Sequence, residues 1–164
     1  MANDFRSARF WAAELIEGAL FAGACAVDAT LGNGHDALWL CRLVGEEGRV
    51  YGFDVQAEAV ERSRARLMDA GVEERATRIL DGHQNMASYV PAGSADVVMF
   101  NLGWLPGAAH GVTTQTDTTL QAVNAALDTL KEEGLLTICV YPGHAEGARE
   151  REALLSWAQG LDER

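Results

Sequence analysis

The chain has 164 residues, 48% of them hydrophobic, and a formal net charge of −11. That length predicts one domain with one core, and the hydrophobic fraction is too high for a disordered chain. The acidic balance argues against non-specific nucleic-acid binding, which needs basic side chains on the phosphates, and no window of about 18 residues is apolar enough for a membrane span.

Residues 7–20 read as a first helix, with Phe10, Trp11, Leu15 and Ile16 near one face. Glu14, Glu17 and Asp28 interrupt this apolar region, and it lacks the basic start of a signal peptide. Residues 24–30 read as a first strand and 34–44 as a helix with Leu38, Leu40, Cys41 and Val44 available to pack. Arg49–Asp54 is the second strand and Ala57–Ala70 the second crossover helix, stopped by Gly71. Ala76–Leu80 and Ala95–Phe100 are strands three and four. Residues 102–116 read as a long loop, after which Asp117 is expected to cap a helix with Leu120, Val123, Leu127 and Leu130 at helical spacing. Gly134 admits a fifth strand, LLTICVY, and a last helix covers about 145–160. Strands alternating with helices predict an α/β fold: a Rossmann-like, doubly wound, mostly parallel sheet with helices on both faces. Ligands of such folds sit at the carboxyl ends of the strands. Cys25, Cys41 and Cys139 form no C-x-x-C pair, so free thiols in a reducing cytoplasm are expected.

The residues with chemistry follow the strands. After the first strand comes Asp28-Ala-Thr30-Leu-Gly32-Asn33-Gly34-His35-Asp36-Ala37, which matches G-x-G-x-x-A. Asp54 lies 20 residues beyond Gly34, at the end of the second strand. The combination predicts a nucleoside-binding loop; the alternative is a tight strand-to-helix turn. Asp28 and Asp36 flank the place where a pyrophosphate would rest. Two like charges about 5 Å apart cost roughly 3 kcal/mol at an effective dielectric of 20. The pair therefore suits a cation, and S-adenosylmethionine carries a sulfonium and an ammonium and has no phosphate. Asp28 is expected to hold the ammonium directly or through water, and Asp54 the ribose hydroxyls. Asp36 either faces the cofactor or serves the helix dipole. Asp81, His83 and Gln84 end the third strand, where the adenine would lie, and His83 reads equally well as a turn residue. His35 sits in the loop and Gln56 follows the second strand. No cluster has zinc spacing, and no metal is expected.

FNLGWLPG, residues 100–107, is an unusual end for a buried strand. Asn101 has a side-chain carbonyl that can accept from an amine and aim its lone pair, while Trp104 either stacks on a base or packs under the loop. Tyr141 and His144 end the fifth strand, where His144 is the better proton acceptor by its ordinary pKa and the alternative is a plain turn. Arg62, Arg64, Arg66, Arg75 and Arg78 fall within 17 residues. They read as a solvated helix face plus a strand start, or as a local phosphate contact.

VDATLGNGHDALWL, GRVYGFDVQ, FNLGWLPG, TTLQAVNAALDTL and VYPGH together resemble the rRNA methylase family typified by YtqB, over about residues 6–162. The resemblance implies a class I methyltransferase fold, S-adenosylmethionine as cofactor and RNA as substrate, tRNA above all. Characterised relatives methylate the aminomethyl nitrogen of a modified wobble uridine. It also implies a cofactor site of Asp28, Thr30, Gly32, Asn33, Gly34, His35, Asp36, Asp54, Gln56, His83, Gln84 and Asn101, catalytic roles for Asn101, Tyr141 and His144, and an acceptor side of Leu102, Gly103, Trp104 and Pro106. The sequence departs from the family in two places. Ala108-Ala109-His110 stands where members commonly have Gly-Asp-Lys. Members also run on to a final pair of strands, whereas this sequence ends at Arg164, so the fifth strand is expected at an open edge unless a partner, such as a second copy in a homodimer, or a missing segment covers it. A methyltransferase of the same fold acting on a small molecule or protein, and a non-catalytic cofactor-binding domain, are the competing readings; an NAD-dependent oxidoreductase is disfavoured by Asp28 and Asp36.

Overall fold

The computed structural model describes residues 6–103, 115–141, 143 and 145–161. Helix α1 (Ala8–Ala19) precedes β1 (Cys25–Asp28), α2 (His35–Val44), β2 (Arg49–Asp54), α3 (Ala57–Asp69), β3 (Ala76–Leu80), β4 (Ala95–Leu102), α4 (Thr116–Thr129), β5 (Leu130–Val140) and α5 (Ala145–Gln159). Short 3-10 helices at Glu73–Arg75 and His83–Ser88 precede and follow β3. The five strands pair in parallel in the order β3-β2-β1-β4-β5. The chain therefore reverses its direction of travel between β1 and β4, the doubly wound arrangement read from the sequence.

The period-2 alternation of the strands divides the interior. Val97 and Met99 of β4 join Ile16, Ala26, Leu40, Val44 and Leu67 under α1, α2 and α3. Val98, Phe100 and Leu102 join Val27, Phe53, Met86, Val123 and Leu154 under α4, α5 and the second 3-10 helix. The first helix buries less than expected: Ile16 is enclosed, but Trp11 and Leu15 are 58% and 59% exposed and face away from the sheet. The inner face of α4 is Thr119, Ala122, Val123, Ala126 and Thr129, while Leu127 is exposed and Leu130 already belongs to β5.

Several boundaries differ for identifiable reasons. β1 stops at Asp28 because the Asp28 carboxylate accepts from Thr30 N at 3.0 Å and turns the chain out of the sheet. Asp117 does not cap α4; it lies in the first turn, favourable to the helix dipole. The first amide is satisfied from α5, where Glu146 Oε1 accepts from Thr116 N and Thr116 Oγ1, each at 2.9 Å. β5 begins before Gly134: Leu130 pairs with Ala95 and Leu135 with Val97, and the extra residues form a bulge with Glu133 at φ 64°. Among the described residues β5 has one strand neighbour, as expected of an edge.

Gly34 is the tightest point of the loop between β1 and α2. Its φ is 76°, and a Cβ there would lie 2.6 Å from Ser63 Cβ and 2.8 Å from Ser63 Cα of α3. Left-handed backbone and overlap together predict that Gly34→Ala destabilises the protein by about 2–4 kcal/mol. The melting temperature should fall by roughly 5–15 °C in a calorimetric scan. An unchanged melting temperature would mean that α3 yields at Ser63.

Candidate functional site

A cavity of about 710 Å³ lies at the carboxyl ends of the strands, over the switch point between β1 and β4. Its floor is the glycine loop, three of whose backbone donors are engaged as follows. Leu31 N donates to Phe53 O at 2.9 Å, Gly32 N to Asp54 Oδ2 at 2.9 Å and Gly34 N to Leu31 O at 2.9 Å. Asp54 also accepts from Gln56 N through Oδ1 at 2.9 Å. Each carboxylate oxygen thus has one backbone partner and a second lone pair for a ligand hydroxyl. Arg66 Nε donates to Asn33 O at 2.8 Å and Arg62 Nη1 reaches Asn33 Oδ1 at 3.5 Å, so α3 braces the loop from outside. Sequence patterning gave no sign of this role.

The rest of the arginine cluster is engaged within the chain. Arg62 pairs with Glu58, Arg64 with Glu61 at 3.0 Å and Arg78 with Glu73 at 3.0 Å, and Arg75 donates to Cys41 O at 3.1 Å. That arrangement favours the solvated-face reading of the cluster.

Asn101 is the penultimate residue of β4, so the strand carries it to the cavity wall and the motif does not begin in a loop. β1 has already left the sheet at this level, and Asn101 N donates to Thr30 Oγ1 at 2.9 Å instead of to a strand neighbour. Asn101 Nδ2 donates to Asp36 Oδ2 at 2.7 Å. A carboxylate only accepts, so the amide orientation is fixed and the carbonyl oxygen is left as an acceptor. Arg9 of α1 pairs with the other oxygen of Asp36. Arg9 is a cavity residue the sequence reading missed, because nothing in its spacing links it to a carboxylate 27 positions away.

The third strand leads to His83, whose Nδ1 lies 3.0 Å from Ala29 O and whose ring tilts against Phe100 at 5.5 Å. A carbonyl accepts only, so Nδ1 carries the proton. Burial lowers the His83 pKa, and the ring is neutral at pH 7 with Nε2 an acceptor. Tyr141 lines the opposite wall, and burial raises its phenol above the usual 10.

The cavity is lined by Thr30, Gly32, Asn33, His35, Asp36, Asp54, Gln56, Asp81, His83, Gln84, Asn101, Leu102, Gly103 and Tyr141 of the expected residues, with Gln115, just before α4, and Thr118 of α4 unforeseen. Gly34 and Asp28 are absent from the wall. Trp104, Pro106, His144 and the Ala108-Ala109-His110 departure lie outside the described residues. Asp28 is fully buried beneath the loop and its Oδ2 has no hydrogen-bond partner. Asp28 therefore exposes no atom to the cavity, whereas Asp36 lies on its wall. Burial, then the nearby Asp36 charge, raise the Asp28 pKa to about 7, against the opposing hydrogen bond from Thr30 N. A folded pKa above the unfolded value contributes stability at low pH that is lost as pH rises through the folded pKa. The ligand-free protein should lose melting temperature between about pH 4 and pH 7 and level off above, and Asp28→Asn should flatten that decline. Parallel thermal scans across this range check it; identical slopes would remove Asp28 from the pH dependence.

Residues 50–164 match the family model described as "Putative rRNA methylase". The putative rRNA methylase of Clostridium thermocellum superposes with a TM-score of 0.93 at 38% identity, covering 97% of this chain and 85% of that one. A putative methyltransferase from Streptococcus mutans, solved in complex with SAH, gives 0.86 at 34% identity over the same two shares. The chloroplastic tRNA (mnm(5)s(2)U34)-methyltransferase of Arabidopsis thaliana is 38% identical over 149 residues, covering 85% of this chain. The chain spans 54% of that plant protein's length. No helix among the described residues is long and apolar enough to cross a membrane.

Proposed function

This chain belongs to the rRNA methylase family, and we propose that it is an S-adenosylmethionine-dependent methyltransferase whose acceptor is an amine on RNA, most specifically the aminomethyl nitrogen of a tRNA wobble uridine. The observation that carries the reading is the pinned amide of Asn101, on the wall of a nucleoside-sized cavity ringed by carboxylates. The donor set fits the cofactor: Asp28, Asp36 and Asp54 converge on the loop, while Arg9, the one Lys or Arg among the described wall residues, is already paired with Asp36. Such a site suits a nucleoside bearing positive charge and disfavours a pyrophosphate.

Bound S-adenosylmethionine supplies a sulfonium methyl, and transfer forms an N–C bond as the S–C bond breaks with its electron pair left on sulfur. The chain's own part is positioning. Asp54 takes the ribose hydroxyls on its second lone pairs, and neutral His83 meets the adenine edge. Asn101 accepts an N–H of the acceptor amine and aims the lone pair. Positive charge is moved rather than created, so alignment and exclusion of water matter more than a strong base. Tyr141, a neutral phenol, serves as a hydrogen-bonding wall residue.

The RNA substrate rests on the relatives' names and on Asn101. The charge of −11 and the internally paired arginines favour a second reading, a methyltransferase of the same fold acting on a small molecule or protein. A cytoplasmic setting is supported by three free thiols. Thermal-shift titration with S-adenosylhomocysteine against NAD tests the cofactor: stabilisation by the first alone is expected, and stabilisation by NAD alone would end the reading. Nucleoside mass spectrometry after incubation with a labelled methyl donor separates RNA from other acceptors.

A further inference from the structure

A second cavity, of about 210 Å³, abuts the first between α1, α2 and the end of β4. Ala12, Ala13, Ile16, Trp39 and Met99 give it apolar walls that take no part in the larger cavity. Arg9, His35, Asp36 and Asn101 line both. The two spaces therefore meet at the Arg9–Asp36–Asn101 chain, where Asn101 Nδ2 donates to Asp36 at 2.7 Å.

Its volume equals that of about seven liquid waters, enough for one small ring system and too little for a whole nucleoside. Its apolar walls would desolvate a flat ring, with the indole of Trp39 as an aromatic surface. All four polar lining residues are those shared with the larger cavity, so a ligand held here presents its polar substituent to the cofactor side. At that end the Asn101 carbonyl and the remaining lone pairs of Asp36, which Arg9 and Asn101 Nδ2 already engage, can accept the N–H groups of an amine.

We propose that this second cavity is the acceptor pocket: it takes the uncharged ring of a nucleobase whose exocyclic aminomethyl group lies against Asp36 and Asn101, at the boundary with the cofactor cavity. The inference rests on the reading of the chain as an amine methyltransferase acting on RNA. It adds the place where the base sits and assigns specificity to α1 and α2 in addition to the segment after β4. Arg9 is here a positioning residue, holding Asp36 and through it the Asn101 amide.

Ala13 lines only the second cavity, so Ala13→Phe fills that space without touching the first. The test uses the full chain, a synthetic anticodon stem-loop carrying 5-aminomethyluridine, and S-adenosylhomocysteine as the cofactor probe. The expected result is a KM for the stem-loop raised at least tenfold, with S-adenosylhomocysteine affinity within about twofold of wild type. Trp39→Leu, which removes the indole instead of adding bulk, should raise the same KM and keeps the test open if Ala13→Phe fails to fold. Unchanged KM in both folded variants would overturn the assignment. So would a loss of S-adenosylhomocysteine affinity in Ala13→Phe, because the cavity would then hold part of the cofactor. A wild-type protein that binds S-adenosylhomocysteine but does not methylate the stem-loop would overturn the RNA reading itself, and the pocket assignment with it.

Discussion

Asn101→Ala is expected to lower methyl transfer by about 100-fold or more while leaving S-adenosylhomocysteine affinity within a few-fold of wild type. The side chain touches nothing needed to hold the loop, since Gly32, Gly34 and Leu31 satisfy their amides on Asp54, Leu31 and Phe53. What the substitution removes is one acceptor whose direction is set twice over. The backbone is fixed by Thr30 Oγ1 at 2.9 Å and by pairing with Cys139, and the amide by Asp36 at 2.7 Å. Losing it leaves the amine free to turn its lone pair away from the methyl. Single-turnover rates with calorimetric cofactor affinities check the split. Unchanged turnover would remove Asn101 from the mechanism, and a parallel loss of affinity would make it a cofactor residue first.

Asp54→Ala should act in the opposite sense. Cofactor binding should weaken by at least the worth of one charge-assisted hydrogen bond, about 1.5–3 kcal/mol, or roughly 10- to 150-fold. The carboxylate does two things at once. It accepts from Gly32 N and Gln56 N, which ties the glycine loop to the end of β2, and its remaining lone pairs are left for the ribose hydroxyls that the proposal assigns to it. Alanine loses both functions; asparagine can keep one backbone acceptor and should lose less. Calorimetric titration with S-adenosylhomocysteine measures the difference, and wild-type affinity in the alanine variant would sink the ribose assignment.

The parts of the site differ in how legible they were in the amino-acid order. The G-x-G-x-x-A loop and Asp54 stand at fixed distances in sequence because one strand–turn–helix unit positions them, and the structure brings them together on one cavity floor. The fourth-strand motif was legible as the end of a strand that faces the cavity, though the strand reaches Leu102 and lifts Asn101 into the sheet. Residues contributed by distant elements were not legible. Arg9 approaches Asp36 only because α1 packs across β4 and β5, and Arg66 reaches Asn33 O only because Gly34 lets α3 come within touching distance. The burial of Asp28 was hidden for a related reason. Both read as acids beside a glycine loop, and only the turn at Thr30 decides which one is sealed beneath it.

The central claim is methyl transfer to an RNA amine, and it is tested most directly by incubating the full chain with tRNA bearing aminomethyluridine and a methyl-deuterated S-adenosylmethionine, then digesting to nucleosides for mass spectrometry. The predicted result is the label on the aminomethyl nitrogen of the wobble nucleoside, lost with Asn101→Ala. Cofactor binding with no label on any nucleoside, or label confined to a ring carbon or a ribose oxygen, would contradict it.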